Sequence, residues 1–311
     1  MARQYTEQIH AFQKIGLLDI LPKSGEAGII GIDNEEYPLP TLEQIKEQLQ
    51  ADRAIYEPKV KQGFAGISLT PLAMPLEALV AILQQRILIH HREGKLLATK
   101  VQPTDPDTNL ELNTNEPLYT WDGWLDPNAP VGQRGADVTD KCLYHVQSFD
   151  QTTPGGHTKK DLLALKTEKD QTSPFAGWQV LLLETNVNIP HEGKGGTSVG
   201  GRDRLTANKT PEQYLQLLQT DPQYLNEQGL TIEDWITLFL THLEKTNQVI
   251  DNYGGNGSAC YLPGSFNPSS RDLGGASWGR GVRRAGVYGC DPRYRAAGSG
   301  LRSAVGVRKR T

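Results

Sequence analysis

Apolar residues recur at three- and four-residue steps in five stretches of this chain, and each predicts an amphipathic helix. Residues 1–20 form a short one, with Ile9, Phe12 and the run from Ile15 to Leu18 on one side. Thr41-Leu42-Glu43-Gln44 matches a capping box, in which a hydroxyl and an amide satisfy free backbone donors, and Leu42, Ile45 and Leu49 follow at helical spacing. The longest early helix runs from Leu76 to Glu93, with Leu79, Val80, Leu83 and Ile87 on its inner face and Gly94 as its stop. Thr210-Pro211-Glu212-Gln213 opens another, with proline at the first helical position. From Thr231 a third capped helix carries Ile232, Trp235, Ile236, Phe239, Leu240 and Leu243 inward.

Short apolar runs predict strands at 63–69, 142–146 and 177–184, the last being the best candidate for a central strand. Residues 25–40 read as a loop, and the Asp-, Asn- and Pro-rich text from 103 to 130 as irregular connection with a short strand, placing a boundary near residue 110. Beyond Asp251 the pattern changes to turns, among them Tyr253-Gly254-Gly255-Asn256-Gly257-Ser258 and Asn267-Pro268-Ser269-Ser270. Short strands between such punctuation predict a loop-rich antiparallel sheet.

Composition narrows the class without naming a function. With 311 residues, 37% hydrophobic and 22% charged, the chain has the makings of a folded core. No apolar run reaches the ~18 residues that suggest a membrane span. The first residues lack the apolar core of a secretory signal, so the cytoplasm is the default location, with surface display left open. Cys142, Cys260 and Cys290 are too scattered for a disulfide framework, and Cys142 with His145 lacks the second pair that a zinc site needs. His90 and His91 fall in the last turn of their helix, where positive charge suits the helix dipole, while His242 and Glu244 are expected at the surface.

Charge is distributed unevenly. From residue 271 onward there are ten Lys or Arg against two Asp, leaving 22 basic against 34 acidic residues in the rest. Between Tyr261 and Val307 there is no Lys, Glu, Gln or Met. Arg and Tyr presented on such an end supply contact area and hydrogen bonds at low entropic cost, which suits a binding surface. A basic end also suits nucleic acid, a less favoured partner here.

One stretch admits an enzyme reading. Gly196-Thr197-Ser198-Val199-Gly200 fits the nucleophile-elbow pattern of a hydrolase, but glycines precede it and Gly201-Arg202-Asp203-Arg204 follows, instead of an entering strand and a leaving helix. The neighbouring Gly193-Lys194-Gly195-Gly196 lacks the order of a phosphate loop.

Ser270-Arg271-Asp272-Leu273-Gly274-Gly275-Ala276-Ser277-Trp278, Arg284-Ala285-Gly286-Val287-Tyr288 and Gly300-Leu301-Arg302 resemble a known family. It is that of variable proteins diversified by diversity-generating retroelements, with a C-type lectin fold of the formylglycine-generating-enzyme type. The likeness covers the last fifty residues or so, with Ala276 inserted into the signature, Leu273 where arginine is usual and Leu301 in place of an aromatic. It implies an α+β protein: a C-type-lectin-like domain over 111–311, with a loop-rich antiparallel sheet and packed helices, and a mainly helical N-terminal extension over 1–110. Trp278 would then pack beneath the site and Arg302 pair inside the fold.

Between those two, over about 278–302, lie the positions that adenine-directed copying diversifies. Asparagine-type codons so mutated cannot yield Lys, Glu, Gln, Met or Trp, and none of these occurs from Gly279 to Arg308. The resemblance makes Arg280, Arg283, Arg284, Tyr288, Cys290, Asp291, Arg293, Tyr294 and Arg295 the ligand-binding residues, with Gly279, Gly289 and Ser299 as further diversified positions. It implies an unidentified protein or other macromolecular ligand, no cofactor and no catalysis, since the closely spaced cysteine pair of the enzyme namesakes is missing.

Overall fold

In a computed structural model, which describes residues 1–100, 102–165, 174–186, 188–196 and 198–307, the helical periodicities become helices close to where spacing puts them. The chain begins with α1 (Ala2–Lys14), which buries Phe12. The stretch expected as a loop instead carries most of a small antiparallel sheet of β1 (Asp19–Ile20), β2 (Ala27–Ile30) and β3 (Glu36–Pro38). Ile29 and Tyr37 face each other across β2 and β3, and both are buried. Strands of two to four residues offer too few alternating positions to be read from sequence.

Two helices follow, α2 (Leu42–Ala51), whose Thr41–Gln44 capping box forms in both directions, and α3 (Arg53–Lys61), which runs through Pro58. Then come β4 (Gly66–Thr70), α4 (Leu76–Arg92), β5 (Leu118–Thr120), β6 (Leu143–Tyr144), α5 (Lys159–Ala164) and β7 (Gln179–Leu183). The strand expected over 142–146 shrinks to two residues because His145 takes a left-handed backbone with φ 55°. The last third holds α6 (Pro211–Thr220), β8 (Gln228–Gly229), α7 (Ile232–Thr246), β9 (Asn252–Tyr253), β10 (Ala259–Asn267), β11 (Asp272–Gly279), β12 (Arg284–Cys290), β13 (Ser299–Leu301) and β14 (Ser303–Gly306).

The protein is thus mixed α+β, with seven α-helices and three sheets among the described residues. One sheet has the order β4-β7-β14-β8; the largest runs β13-β10-β11-β12-β5, with β6 and β9 on its margins. The first 110 residues share a sheet and a core with the rest, since β4 pairs with β7 and the main apolar cluster draws on both parts.

Helix α7 is the hub. Its capping box, Thr231 with Asp234, fixes its start, and Ile232, Trp235, Ile236, Phe239, Leu240 and Leu243 are all buried as their spacing predicts. It packs against α1, α4, β4, β10 and β11. Its far end departs from expectation: the Glu244 side chain is buried and accepts from Arg86, His90 and Lys14, and His242 is half-buried with its Nε2 shielded from solvent. The partners come from α1 and α4, more than 150 residues away in sequence for α4, so no local pattern announced them. His90 accordingly serves the helix packing.

Candidate functional site

The alternation of β11 and β12 separates the C-terminal sheet into two kinds of position. Across the two strands Ala276 pairs with Val287 and Trp278 with Ala285, and all four side chains have 0% exposure. The other register pairs, Gly275 with Tyr288 and Ser277 with Gly286, point to the opposite face. Gly275 must be small, because a Cβ there would come 2.4 Å from Cys290 Sγ and 2.7 Å from the Tyr288 ring. Gly300 is also hemmed in, with Ile189 at 2.6 Å and the Ala207 backbone at 3.0 Å from any added Cβ.

Arg302 is buried beneath this sheet. Its Nη2 donates to Asp251 Oδ1 at 2.8 Å, its Nη1 to the Asn186 carbonyl at 3.2 Å, and Asp251 Oδ2 also accepts from Trp235 Nε1 at 2.8 Å. Burial pushes the Asp251 carboxyl up from its ordinary value, and Arg302 acts against that shift. The arrangement ties β13, β9 and α7 into one unit.

Two exposed segments connect these strands. The first is the turn from Arg280 to Arg283, where Arg283 adopts φ 57° and donates its backbone N–H to the Gly279 carbonyl. Arg280 and Arg283 are exposed, as is Val282, while Arg284 is half-buried, stacks over Tyr119 at 4.9 Å and pairs with Glu116. The second is the loop after β12. There the Asp291 carboxylate accepts the Arg293 backbone N–H at 2.9 Å and is held below the usual carboxylate range by it. Pro292 is buried and anchors the loop to α6, leaving Tyr294 67% exposed. Arg295 reaches Asn208 at 3.0 Å.

These residues do not converge on one point. β11 has eight residues, spanning about 25 Å, with the 280–283 turn at one end and Asp291 and Arg293 at the other. Each end has its own cavity, 680 Å³ beside Arg280 and Arg283 and 580 Å³ beside Arg271, Asp291 and Arg293. Tyr253, absent from the sequence-based set, joins them: its carbonyl accepts the Arg280 N–H at 3.0 Å and its ring lies against Gly298. Tyr119, beneath Arg284, was likewise unmarked. Only the pairing of β5 and β9 with this sheet brings either tyrosine here.

Two of the nine sequence-derived residues sit inward. Tyr288 is half-buried with its hydroxyl 3.4 Å from Ser277 Oγ, and burial raises its phenol. Cys290 packs on the second apolar cluster beside Tyr261, Phe266 and Leu273, and burial pushes its thiol up to about 12.

The basic character of this end is smaller than its count. Arg283, Arg284, Arg293, Arg295 and Arg302 each pair with a carboxylate, and Arg308, Lys309 and Arg310 lie outside the described residues. At the glycine-rich loop, Thr197 also lies outside them, and Ser198 is exposed just before a turn closed by Val199 and Arg202, its hydroxyl on Asp203. No strand enters it and no helix leaves, and no histidine meets Ser198 or Asp203 among the described residues. Nor do the described residues gather three metal-ligating side chains around Cys142 and His145 or anywhere else. None of their helices is long and apolar enough to cross a membrane.

No protein-family model, curated protein or solved structure matches the chain.

Proposed function

We propose that this is a non-catalytic binding protein that presents a diversifiable surface on a C-type-lectin-like scaffold, the target of retroelement-driven mutagenesis. The observation that carries the reading is the division of the stretch between Trp278 and Arg302. Both end residues are buried, Arg302 with a buried partner, while Arg280, Arg283, Arg293, Tyr294 and Arg295 project from turns between them. A rigid sheet beneath and exposed Arg and Tyr above is the arrangement in which side chains can change without cost to the backbone. Four of the ion pairs on this surface are exposed or half-exposed, so a ligand's acidic groups can displace them at little expense.

The test is in the DNA around the coding sequence. The reading expects a near-copy of the segment encoding Trp278 to Arg302, differing mainly at adenines, beside a reverse transcriptase. Absence of such a copy, with no variation among isolates at the projecting positions, would overturn diversification. For nucleic-acid binding through the basic end, affinity would instead fall steeply with salt and be indifferent to Tyr294→Ala.

A further inference from the structure

The 680 Å³ cleft at the hairpin end has two walls of different origin. One is the 280–283 turn, with Arg280 and Arg283; the other is built from residues 98–99 and 102–111, which the resemblance leaves outside the diversified stretch. Three of its lining residues are buried: Trp278, Thr99 and Asn252. They form its floor.

That floor is chemically incomplete. Asn252 Oδ1 and Nδ2 and Thr99 Oγ1 have no hydrogen-bond partner, although both residues are 1% exposed. An unpaired buried polar group carries its full desolvation cost, so an unmatched donor–acceptor pair beside an unmatched hydroxyl marks a place where something else completes the bonding. An amide side chain with both atoms free is complementary to a group that offers one acceptor and one donor, as a backbone peptide unit does. At the rim Arg280 has no ion pair among the described residues, whereas Arg283 is paired with Glu111 at 3.2 Å. Glu111 and Asp105 on the opposite wall disfavour a polyphosphate strand, and Arg280 favours a single acidic side chain.

We propose that this cleft seats an extended peptide segment of a partner protein, its backbone amide pairing with Asn252 and Thr99 and an acidic side chain meeting Arg280. The inference rests on the binding reading above and adds a division of labour to it. Thr99 and Asn252 hold any peptide by its main chain, and the changeable turn selects its side chains. The Asn252 amide lies under the turn 254–257, where an added Cβ on Gly255 would come 2.5 Å from Nδ2 and the Gly255 and Gly257 N–H groups donate to the Asn252 carbonyl at 2.9 and 3.1 Å, so the proposed peptide has to displace this turn. Gly254, at φ 77°, with Gly255 and Gly257, gives the turn the freedom to move.

The experiment selects a displayed random heptapeptide library on the full chain, synthesises the enriched peptides, and measures their binding to variants by calorimetry beside each variant's melting temperature. Enriched peptides should carry Asp or Glu. Thr99→Val should bind them about tenfold more weakly, the scale of one lost hydrogen bond at its upper end. The same change should hold or raise the melting temperature, because it removes an unpaired hydroxyl; a purely structural Thr99 would not give these opposite signs. Asn252→Ala should also weaken binding, and if it fails to fold, Thr99→Val decides. Arg280→Ala should abolish the preference for Asp over Asn in the peptide.

Unchanged binding by Thr99→Val, or a library yielding no acidic peptide, would overturn the subsite. Peptides that depend on Arg293 and Tyr294 but not on Thr99 would overturn it while leaving the wider binding surface standing. Capture of a single-stranded oligonucleotide that Thr99→Val weakens would overturn the peptide as occupant.

Discussion

Arg302 and Arg293 each pair with an aspartate, and the two pairs teach opposite lessons. The Arg302–Asp251 pair has side-chain exposures of 5% and 0%, and its members are the residue that joins β13 to β14 and the residue just before β9. The Arg293–Asp291 pair has exposures of 66% and 51%, and its members are two residues apart in one loop. Charge out of water must be compensated, so the first pair fixes which segments meet. Charge in water is screened and contributes little, so the second can be changed freely. The same division runs through the sheet: Trp278, Ala276, Ala285 and Val287 form a frame, and Arg280, Tyr294 and Arg295 are carried on it.

The largest effect follows from breaking the buried pair. Arg302→Ala leaves Asp251 charged, buried and short of its main partner, and should cost about 3–5 kcal/mol in denaturant unfolding. A loss below ~1 kcal/mol would mean that solvent reaches Asp251 and the contrast is false. Next is Gly300→Ala, whose methyl meets Ile189 and the backbone of Ala207; overpacking of this kind should cost about 1–3 kcal/mol.

Proton linkage sharpens the comparison further, because the responsive groups lie on α7 in the frame. Burial raises the Asp234 carboxyl from 3.8 to about 6, so the folded chain holds that proton more tightly than the unfolded one. The stability this confers is full below about pH 4 and is lost as pH rises through about 6. His242 moves the other way: burial, then Arg302 and Lys245, lower its imidazole from 6.5 to about 4. Its contribution is full above pH 6.5 and is lost as pH falls through about 4. The two slopes oppose each other in that window. Asp234→Asn should therefore leave stability rising with pH between 4 and 6, and His242→Gln should leave it falling, as read from melting temperatures across pH. Identical profiles for both variants would contradict the burial of these groups.

What was legible in the sequence were the features with local causes. The capping boxes at Thr41, Thr210 and Thr231 all form, and the apolar faces of α4 and α7 point inward as spaced. Contacts between distant segments were not legible. Glu244 looked like a surface residue because Arg86, His90 and Lys14 meet it only in the folded chain. Lys159 lies fully buried between Asp137 and Glu233 for the same kind of reason. At the binding surface, the projecting arginines were legible from the Arg-rich text. Tyr253, Tyr119, Thr99 and Asn252 were not, because strand pairing and the cleft, not sequence spacing, bring them beside those arginines.

The smallest effect belongs to the surface and tests the central claim most directly. Two libraries of the full chain would be displayed and sorted for protease resistance, one randomised at Arg280, Arg293, Tyr294 and Arg295, the other at Ala276, Trp278, Val287 and Arg302. Substitutions in the first should shift stability by no more than about 0.5 kcal/mol each, so nearly all members should survive sorting, while the second should collapse to a few sequences close to the original. Equal survival of the two libraries would contradict the division into a frame and a changeable surface.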